Sequence, residues 1–416
     1  MTTSVTIIGG GVVGAACAYF LRRANCDVTI IEQHQFGSGC SHANCGFVCP
    51  SHVLPLATPA VLKEGIVSLF RPNGPLRVAP RFDLALWSWL WQFARNCYLS
   101  HTIHSAKAIH ALLQSSRGLF DQIIKDERLT CEWETRGILF VFTSEKHFHK
   151  YQLVNQRLLN EFGIGAERLD RDALLTREPS LRDGLPGGWY YDTDAHLKPD
   201  RLMSELKALL SRQGVSILEN SPVTGFTISG KKITAIHISD CEVPTDQVVI
   251  AAGAWSPILS RQLGCRLPIQ PGKGYSITFS KPDVSPKQPL IFEEHRVAIT
   301  PFRDSLRVGS TMEFAGYDTT LNHRRLNYLL DVANAYLCTP LTGSVLHRWY
   351  GWRPMTPDSV PIIDRSPAFS NLFLATGHNM LGVAMAPATG KLIAELLTNS
   401  TPHLDPAPYS MKRFLH

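Results

Sequence analysis

The tightest constraint on this chain lies at its start. Ser4 to Ile8 (SVTII) is a β-branched run suited to a buried parallel strand. It leads straight into Gly9-Gly10-Gly11-Val12-Val13-Gly14, a G-x-G-x-x-G turn with glycines at 9, 11 and 14. An Ala- and Leu-rich stretch from Val12 to Asn25 reads as helix. Asp27 to Ile31 (DVTII) reads as a second strand, ending at Glu32. Gly9 lets the chain turn sharply out of the strand, Gly11 lets a pyrophosphate approach the backbone, and Gly14 lets the helix pack close to the sheet. The helix N-terminus offers free N–H groups and partial positive charge to phosphates. Glu32 lies 18 residues beyond Gly14, where an acid accepts hydrogen bonds from ribose hydroxyls. A lone glycine turn is a weak signal. Strand, glycines, helix, strand and acid in this order predict a dinucleotide-binding βαβ unit. The acid argues against NADP, whose 2′-phosphate it would repel, and does not separate NAD from FAD.

The next segments bear on that choice. Residues 38–50 (SGCSHANCGFVCP) form a loop of small and hydroxyl-bearing residues, among them Ser41, Asn44 and Gly46. Such a loop suits a tight fold over a pyrophosphate and a flavin ring, and composition alone reads equally as an ordinary polar turn. Pro199 to Arg212 predicts a helix and Gly214 to Leu218 a strand. Val223 to Val243 predicts a β meander, and Val248 to Trp255 a strand ending in a small-residue turn at Ala252 and Gly253. Asn371 to Val383 is a strand, a turn containing Gly377, His378, Asn379 and Gly382, and then a helix from about Val383 to Leu397. A second helix N-terminus placed there would favour the negative charge of a reduced flavin, the plain alternative being a βα turn.

Composition narrows the partners. The chain has 416 residues, 44% hydrophobic and 18% charged, enough for two domains with sizeable cores. Its net charge of +6 is scattered, with no long Lys/Arg run, so no nucleic-acid partner is expected; weak attraction to anionic lipid or acidic substrates is consistent with it. Ten cysteines stand at irregular spacings, and no charged and apolar leader precedes the first strand, which together predict reduced thiols and a cytoplasmic location. Cys40, Cys45 and Cys49 lack the fourth cysteine of an iron–sulfur pattern, and no zinc spacing, H-E-x-x-H or Ser/His/Asp order is present, so no metal is expected. No apolar run approaches the ~20 residues that span a bilayer. In FDLALWSWLWQFARN, Phe82, Leu86, Trp89, Leu90 and Phe93 share one helical face. Core packing is the plain reading of this face, and an interfacial helix at a membrane surface the sharper one.

The ordered segments GGGVVGAACAYFL, CSHANCGFVCP, LWSWLWQFARNC, QPGKGYSITF, VAITPFRDSLRVGSTMEFAGYDT, GWRPMTPDSVPIID and NLFLATGHNMLGVAMAPATGKLIAELL run over nearly the whole chain. Together they resemble the D-amino-acid oxidase and glycine oxidase superfamily of flavoenzymes, and more closely the bacterial D-amino acid dehydrogenases. The resemblance implies an α/β fold: a Rossmann-like FAD-binding domain (1–58, 196–256 and 357–416) with a discontinuous mixed-sheet, α+β substrate domain (59–195 and 257–356). It implies non-covalent FAD, with candidate contacts at Gly9, Gly11, Val13, Gly14, Glu32, Ser41, Asn44, Gly46, Val223, Ala252, Gly253, Gly377, His378, Asn379, Gly382 and Val383. His42 and Cys45 stand near positions where some relatives attach the ring covalently, but the motif does not match.

The superfamily's G-[LFW]-R-P segment reads Gly351-Trp352-Arg353-Pro354 here. The resemblance therefore implies that Arg353 clamps the substrate carboxylate through two parallel hydrogen bonds. It offers Tyr275, His295 (where the dehydrogenases tend to carry Tyr) and, more weakly, Tyr317 as further substrate contacts. The implied reaction is hydride transfer from Cα of a D-amino acid to flavin N5, then hydrolysis of the imine to a 2-oxo acid and ammonia. Electrons would pass to a quinone or another respiratory-chain acceptor, with peripheral contact on the inner face of the cell membrane. The alternatives are a dehydrogenase of a cyclic secondary amine such as D-proline or hydroxy-D-proline, a glycine-oxidase-type enzyme using O2, and a non-catalytic or tRNA-modifying flavin module.

Overall fold

The computed structural model describes residues 2–59, 76–79, 81–239 and 241–415. Six strands form one sheet in the order Ile362–Arg365, Leu372–Thr376, Gln247–Ile250, Ser4–Ile8, Asp27–Ile31 and Ser216–Leu218. Neighbours are parallel except for the first pair, which is antiparallel. The β-branched runs exist because both faces are covered. Val5, Ile7, Val28, Ile30 and Val249 enter one core with the helices Val12–Arg23 and Gly382–Leu397. Ile8, Ile31, Val248 and Ile250 point the other way, into a core shared with Ile233, Ile236 and Ile238 of a three-stranded meander, Val223–Ser229, Lys232–Ile238 and Cys241–Pro244. Alternate residues thus serve two apolar layers, which is why the strands read as continuous apolar runs.

Three element ends differ from the sequence reading. The first helix stops at Arg23, because Asn25 turns left-handed (φ 58°) and Cys26 N–H donates to Leu21 O. The strand predicted from Gly214 begins at Ser216. The strand predicted to run to Trp255 stops at Ile250 and gives way to a 3₁₀ turn at Gly253–Trp255, where Gly253 has φ 52°.

A nine-stranded mixed sheet forms the second layer. Its order is Val345–Met355, Gln270–Ser280, Ser305–Phe314, Val297–Pro301, Leu290–Phe292, Ile138–Phe142, Gly187–Tyr191 and Glu167–Asp170, with Leu76–Val78 pairing alongside Ser305–Phe314. The strand period of two decides what each residue of this sheet faces. Tyr275, Ile277 and Phe279 pack with Leu306, Val308 and the helix His323–Tyr336. Ser276 and Thr278 alternate with them and face the 43–45 loop. Arg353 pairs with Gly272 and His347 with Thr278, so both share that loop-facing side.

The Trp-rich segment forms a helix, Leu84–Asn96, capped by the Asp83 carboxylate, which accepts from Ala85 and Leu86 N–H. Leu86 and Trp89 are buried against Met312, Phe314 and Met355, with Leu90 and Phe93 partly buried beside them, and Trp89 Nε1 donates to Met355 O at 2.8 Å. Phe82 is a correction to the predicted apolar face: it precedes the helix and is 91% exposed.

The helices Val12–Arg23 and Gly382–Leu397 cross in close contact because Gly390 has no side chain. A Cβ there would stand 2.4 Å from the backbone carbon of Ala16. Gly390→Ala is expected to push the helices apart and cost roughly 1–3 kcal/mol, read as a lower melting temperature together with reduced flavin content.

Candidate active site

A cavity opens at the C-terminal ends of the parallel strands, lined by Ile8, Ile31, Ala251 and Ala375. The first turn builds one end. Gly9 has φ 116°, and a Cβ on it would meet Ala251 O at 2.5 Å, so only glycine fits. Gly11 caps the first helix with extended backbone and no side-chain cap, and no acid sits in the helix's first turn. Ser41 Oγ accepts from Val12 N–H at 3.0 Å, which draws the 38–41 loop over the helix start. Glu32 lines the same space; its carboxylate accepts from Gly10 N–H at 2.8 Å and His34 N–H at 2.9 Å.

The other end is built by the second uncapped helix, Gly382–Leu397, which also has no acid in its first turn. His378, Asn379, Gly382 and Val383 line the cavity. His378 is buried, which pushes its pKa down to about 3, and its Nε2 lies 2.9 Å from Thr389 Oγ1; it is a neutral ring. Asn379 takes φ 53° and ties the turn to the neighbouring strand. Its Oδ1 accepts from Thr356 N–H at 3.0 Å and its own N–H donates to Pro354 O at 3.1 Å.

The 43–45 loop is gripped from the large sheet. Ser276 Oγ donates to Ala43 O (2.8 Å), Arg307 Nη1 to Asn44 O (2.9 Å) and Thr300 Oγ1 to Cys45 O (2.7 Å). Arg307 is buried and further tied to Thr278 Oγ1 and the Asp200 carboxylate. Three successive carbonyls of one layer are thus held by three side chains of the other.

Arg353 lines the cavity beside Trp352 and Pro354. Its Nη1 donates to Thr311 O at 2.5 Å, and no ion pair joins it to a carboxylate among the described residues. Burial works against its charge, and the Thr311 carbonyl is its neutral hydrogen-bond partner. An incoming carboxylate would meet a partly desolvated guanidinium that no carboxylate among the described residues neutralises, a setting that strengthens a bidentate pair.

Two predicted contacts are corrected. Tyr275 faces away from the cavity: it is 1% exposed, its hydroxyl donates to Glu313 Oε2 at 2.7 Å, and burial with that carboxylate holds its phenol well above the ordinary range. His295 also lies off the cavity; it is half-buried, with Nδ1 3.0 Å from Tyr336 OH. Tyr317 is near but not in the lining: its hydroxyl donates to Ala254 O at 2.6 Å and its ring lies 6.1 Å from that of Trp352. Val13, Ser41, Asn44, Val223, Ala252 and Gly253 line the cavity. Gly14, Gly46 and Gly377 do not; a Cβ on them would strike Gly9 O, Leu197 O and the Thr356 methyl respectively, so they shape backbone instead. His42 and Cys45 are outside the lining too: the His42 ring meets His347 edge-on at 5.6 Å, and a Cβ on Gly309 would stand 2.9 Å from the Cys45 thiol.

Trp255 and Trp352, whose rings meet edge-on at 5.3 Å, line the cavity and were missed by sequence reasoning. The available signal was their position, one at the end of a small-residue turn and one beside Arg353.

The family model described as DAO, FAD dependent oxidoreductase, matches residues 4–396. The chain belongs to this family. It is 32% identical over 419 residues to a D-amino acid dehydrogenase of Granulibacter bethesdensis, covering 99% of each chain. It is 34% identical over 408 residues to one of Paramagnetospirillum magneticum, covering 95% of this chain and 94% of that one. Among solved structures, glycine oxidase from Geobacillus kaustophilus matches with a TM-score of 0.81 at 22% identity over 99% of both chains. L-proline dehydrogenase from P. horikoshii matches with a TM-score of 0.76 at 20% identity over 100% of this chain and 98% of that one. These two share its fold.

The residues present fit FAD. Two helix starts without acids and without an N-cap side chain of their own face one cavity, and Gly11 leaves its approach open, since a Cβ there would meet only Ser41 Oγ, at 3.4 Å. Glu32→Ala is expected to weaken FAD binding by on the order of tenfold to a hundredfold, measured by flavin fluorescence during titration of the apoprotein, with the melting temperature at saturating FAD nearly restored.

Proposed function

We propose that this member of the DAO family oxidises a D-amino acid to its imine, which water converts to a 2-oxo acid and ammonia. The observation that carries the reading is Arg353: a half-buried guanidinium without a carboxylate partner among the described residues, in the same cavity as the FAD cradle. Bound FAD supplies the two-electron acceptor for hydride from Cα. Arg353 would fix the carboxylate plane, and Trp352 and Trp255 would wall the space beside it and exclude water. His378, kept neutral by burial, adds no charge to the cavity. In this reading 1–58, 196–256 and 357–416 form the cofactor domain, and 59–195 and 257–356 the substrate domain.

A dye-linked assay over D- and L-amino acids, including D-proline and hydroxy-D-proline, tests this. Wild type should reduce dye with D-amino acids without releasing peroxide under air. Arg353→Ala should keep its flavin and lose kcat/KM by at least about 100-fold. Equal turnover of L-enantiomers, or an unimpaired Arg353→Ala, would overturn the proposal.

A second observation bears on where the electrons go. Leu84, Trp87 and Trp91 stand along the outer face of the helix Leu84–Asn96 at 72%, 57% and 60% exposure, next to the exposed Phe82. Arg95 stacks on Trp91 at 4.6 Å. No helix among the described residues is long and apolar enough to cross a membrane. We infer that this face lies on a lipid surface, where Trp sits at the headgroup boundary and a quinone is within reach as acceptor. The double variant Trp87→Ser/Trp91→Ser should keep dye-linked activity and lose co-flotation with anionic vesicles; flotation equal to wild type would remove the membrane contact.

A further inference from the structure

The clamp residue has a socket. Ser310 and Thr311 are consecutive non-glycine residues at φ 108° and 55°, inside the strand Ser305–Phe314. For a β-branched residue such as Thr311 this is an outlying conformation, and neither side chain explains it. The buried Thr311 hydroxyl itself finds no hydrogen-bond partner among the described residues.

The neighbouring strand shows what the kink accomplishes. Tyr275 pairs with Ser310 but Lys273 pairs with Glu313, so Gly274 alone stands opposite Thr311 and Met312. The bulge turns the Thr311 carbonyl toward the cavity, where it accepts from Arg353 Nη1. Gly274 provides the floor: a Cβ on it would stand 2.5 Å from Arg353 Cζ and Nη2 and 2.7 Å from Nη1. No positive φ requires a glycine at 274, and the atoms a Cβ would meet there are those of the guanidinium, which would have to shift. The acid of this strand stands on the other face of the sheet, since Glu313 pairs with Lys273 and Arg353 with Gly272. Glu313 is buried, accepts from Tyr275 OH at 2.7 Å and pairs with Arg77 at 3.2 Å. The fork is therefore oriented by a neutral carbonyl, which fixes its plane without neutralising its charge.

We propose that Gly274 and Thr311 are positioning residues that seat Arg353 for carboxylate binding, an inference that rests on the role of Arg353 proposed above. Steady-state kinetics with the amino acid that wild type turns over fastest, on Gly274→Ala, Arg353→Lys and the double variant, test it. Gly274→Ala should raise KM by on the order of tenfold to a hundredfold, with kcat changed far less and full flavin content. In the Arg353→Lys background, whose amine is too compact to meet the new Cβ, Gly274→Ala should change KM less than about twofold. If Gly274→Ala alone fails to hold FAD, the double variant must recover it, because the collision is with the guanidinium. An unchanged KM in Gly274→Ala, an equal cost in both backgrounds, or no recovery in the double variant would overturn the socket. An Arg353→Lys enzyme indistinguishable from wild type would instead overturn the functional reading beneath it.

Discussion

The arrangement depends on the grip of the large sheet on three consecutive carbonyls, those of Ala43, Asn44 and Cys45. These groups belong to a loop that would otherwise leave its backbone acceptors to solvent or unpaired. Ser276, Arg307 and Thr300 come from three different strands, so the contact fixes a whole sheet face, not one side chain. Arg307 is the costly member, a buried cation, and Asp200, the Asn44 carbonyl and the Thr278 hydroxyl together offset its desolvation. Once the loop is held, the rest of that sheet face is committed. Gly309 must be small beneath the Cys45 thiol, and Arg353, two strands from Gly309, is aimed at the cavity.

The same alternation explains what could be read from the sequence and what could not. The opening βαβ unit was legible because its logic is local: Gly9, Gly14 and Glu32 act within a few turns of chain, and their contacts are with one another and with Ala251. Arg353 was legible through its motif. Tyr275 was not, although it is adjacent to the right strand face, because a one-residue offset sends a side chain to the opposite layer. Only the pairing with Ser305–Phe314 and Val345–Met355 reveals that Gly274 and Ser276 face the loop while Tyr275 faces Glu313 and the helix His323–Tyr336. His295 failed for a related reason, since its partner Tyr336 lies 41 residues away on a helix whose docking no local pattern announces. The Trp-rich helix was half legible. Its periodicity located Leu86 and Trp89 in a core, but periodicity alone cannot say that Trp87 and Trp91 on the other face stay uncovered.

Charge is separated by the strand alternation. Glu313 pairs with Lys273 and Arg353 with Gly272, so the two side chains lie on opposite faces of the sheet. Tyr275 and Arg77 hold the carboxylate on its own face. The guanidinium is left with a neutral partner, the Thr311 carbonyl. Tyr275, read from sequence as a substrate contact, belongs instead to the layer that holds Glu313.

The two ends of the cavity are also joined through backbone. Asn379, left-handed at the turn before the second helix, accepts from Thr356 N–H through its side chain and donates its own N–H to Pro354 O. The strand that carries Arg353 is thus tied, one residue later, to the turn that presents the second helix N-terminus. Asparagine suits the position because it tolerates left-handed backbone and its side chain brings an acceptor for Thr356 N–H and a donor to Thr356 Oγ1 and Gly377 O, where glycine would keep only the conformation and the backbone N–H. The distance between the guanidinium and the end of the cofactor cradle is consequently set by a few short hydrogen bonds within one turn.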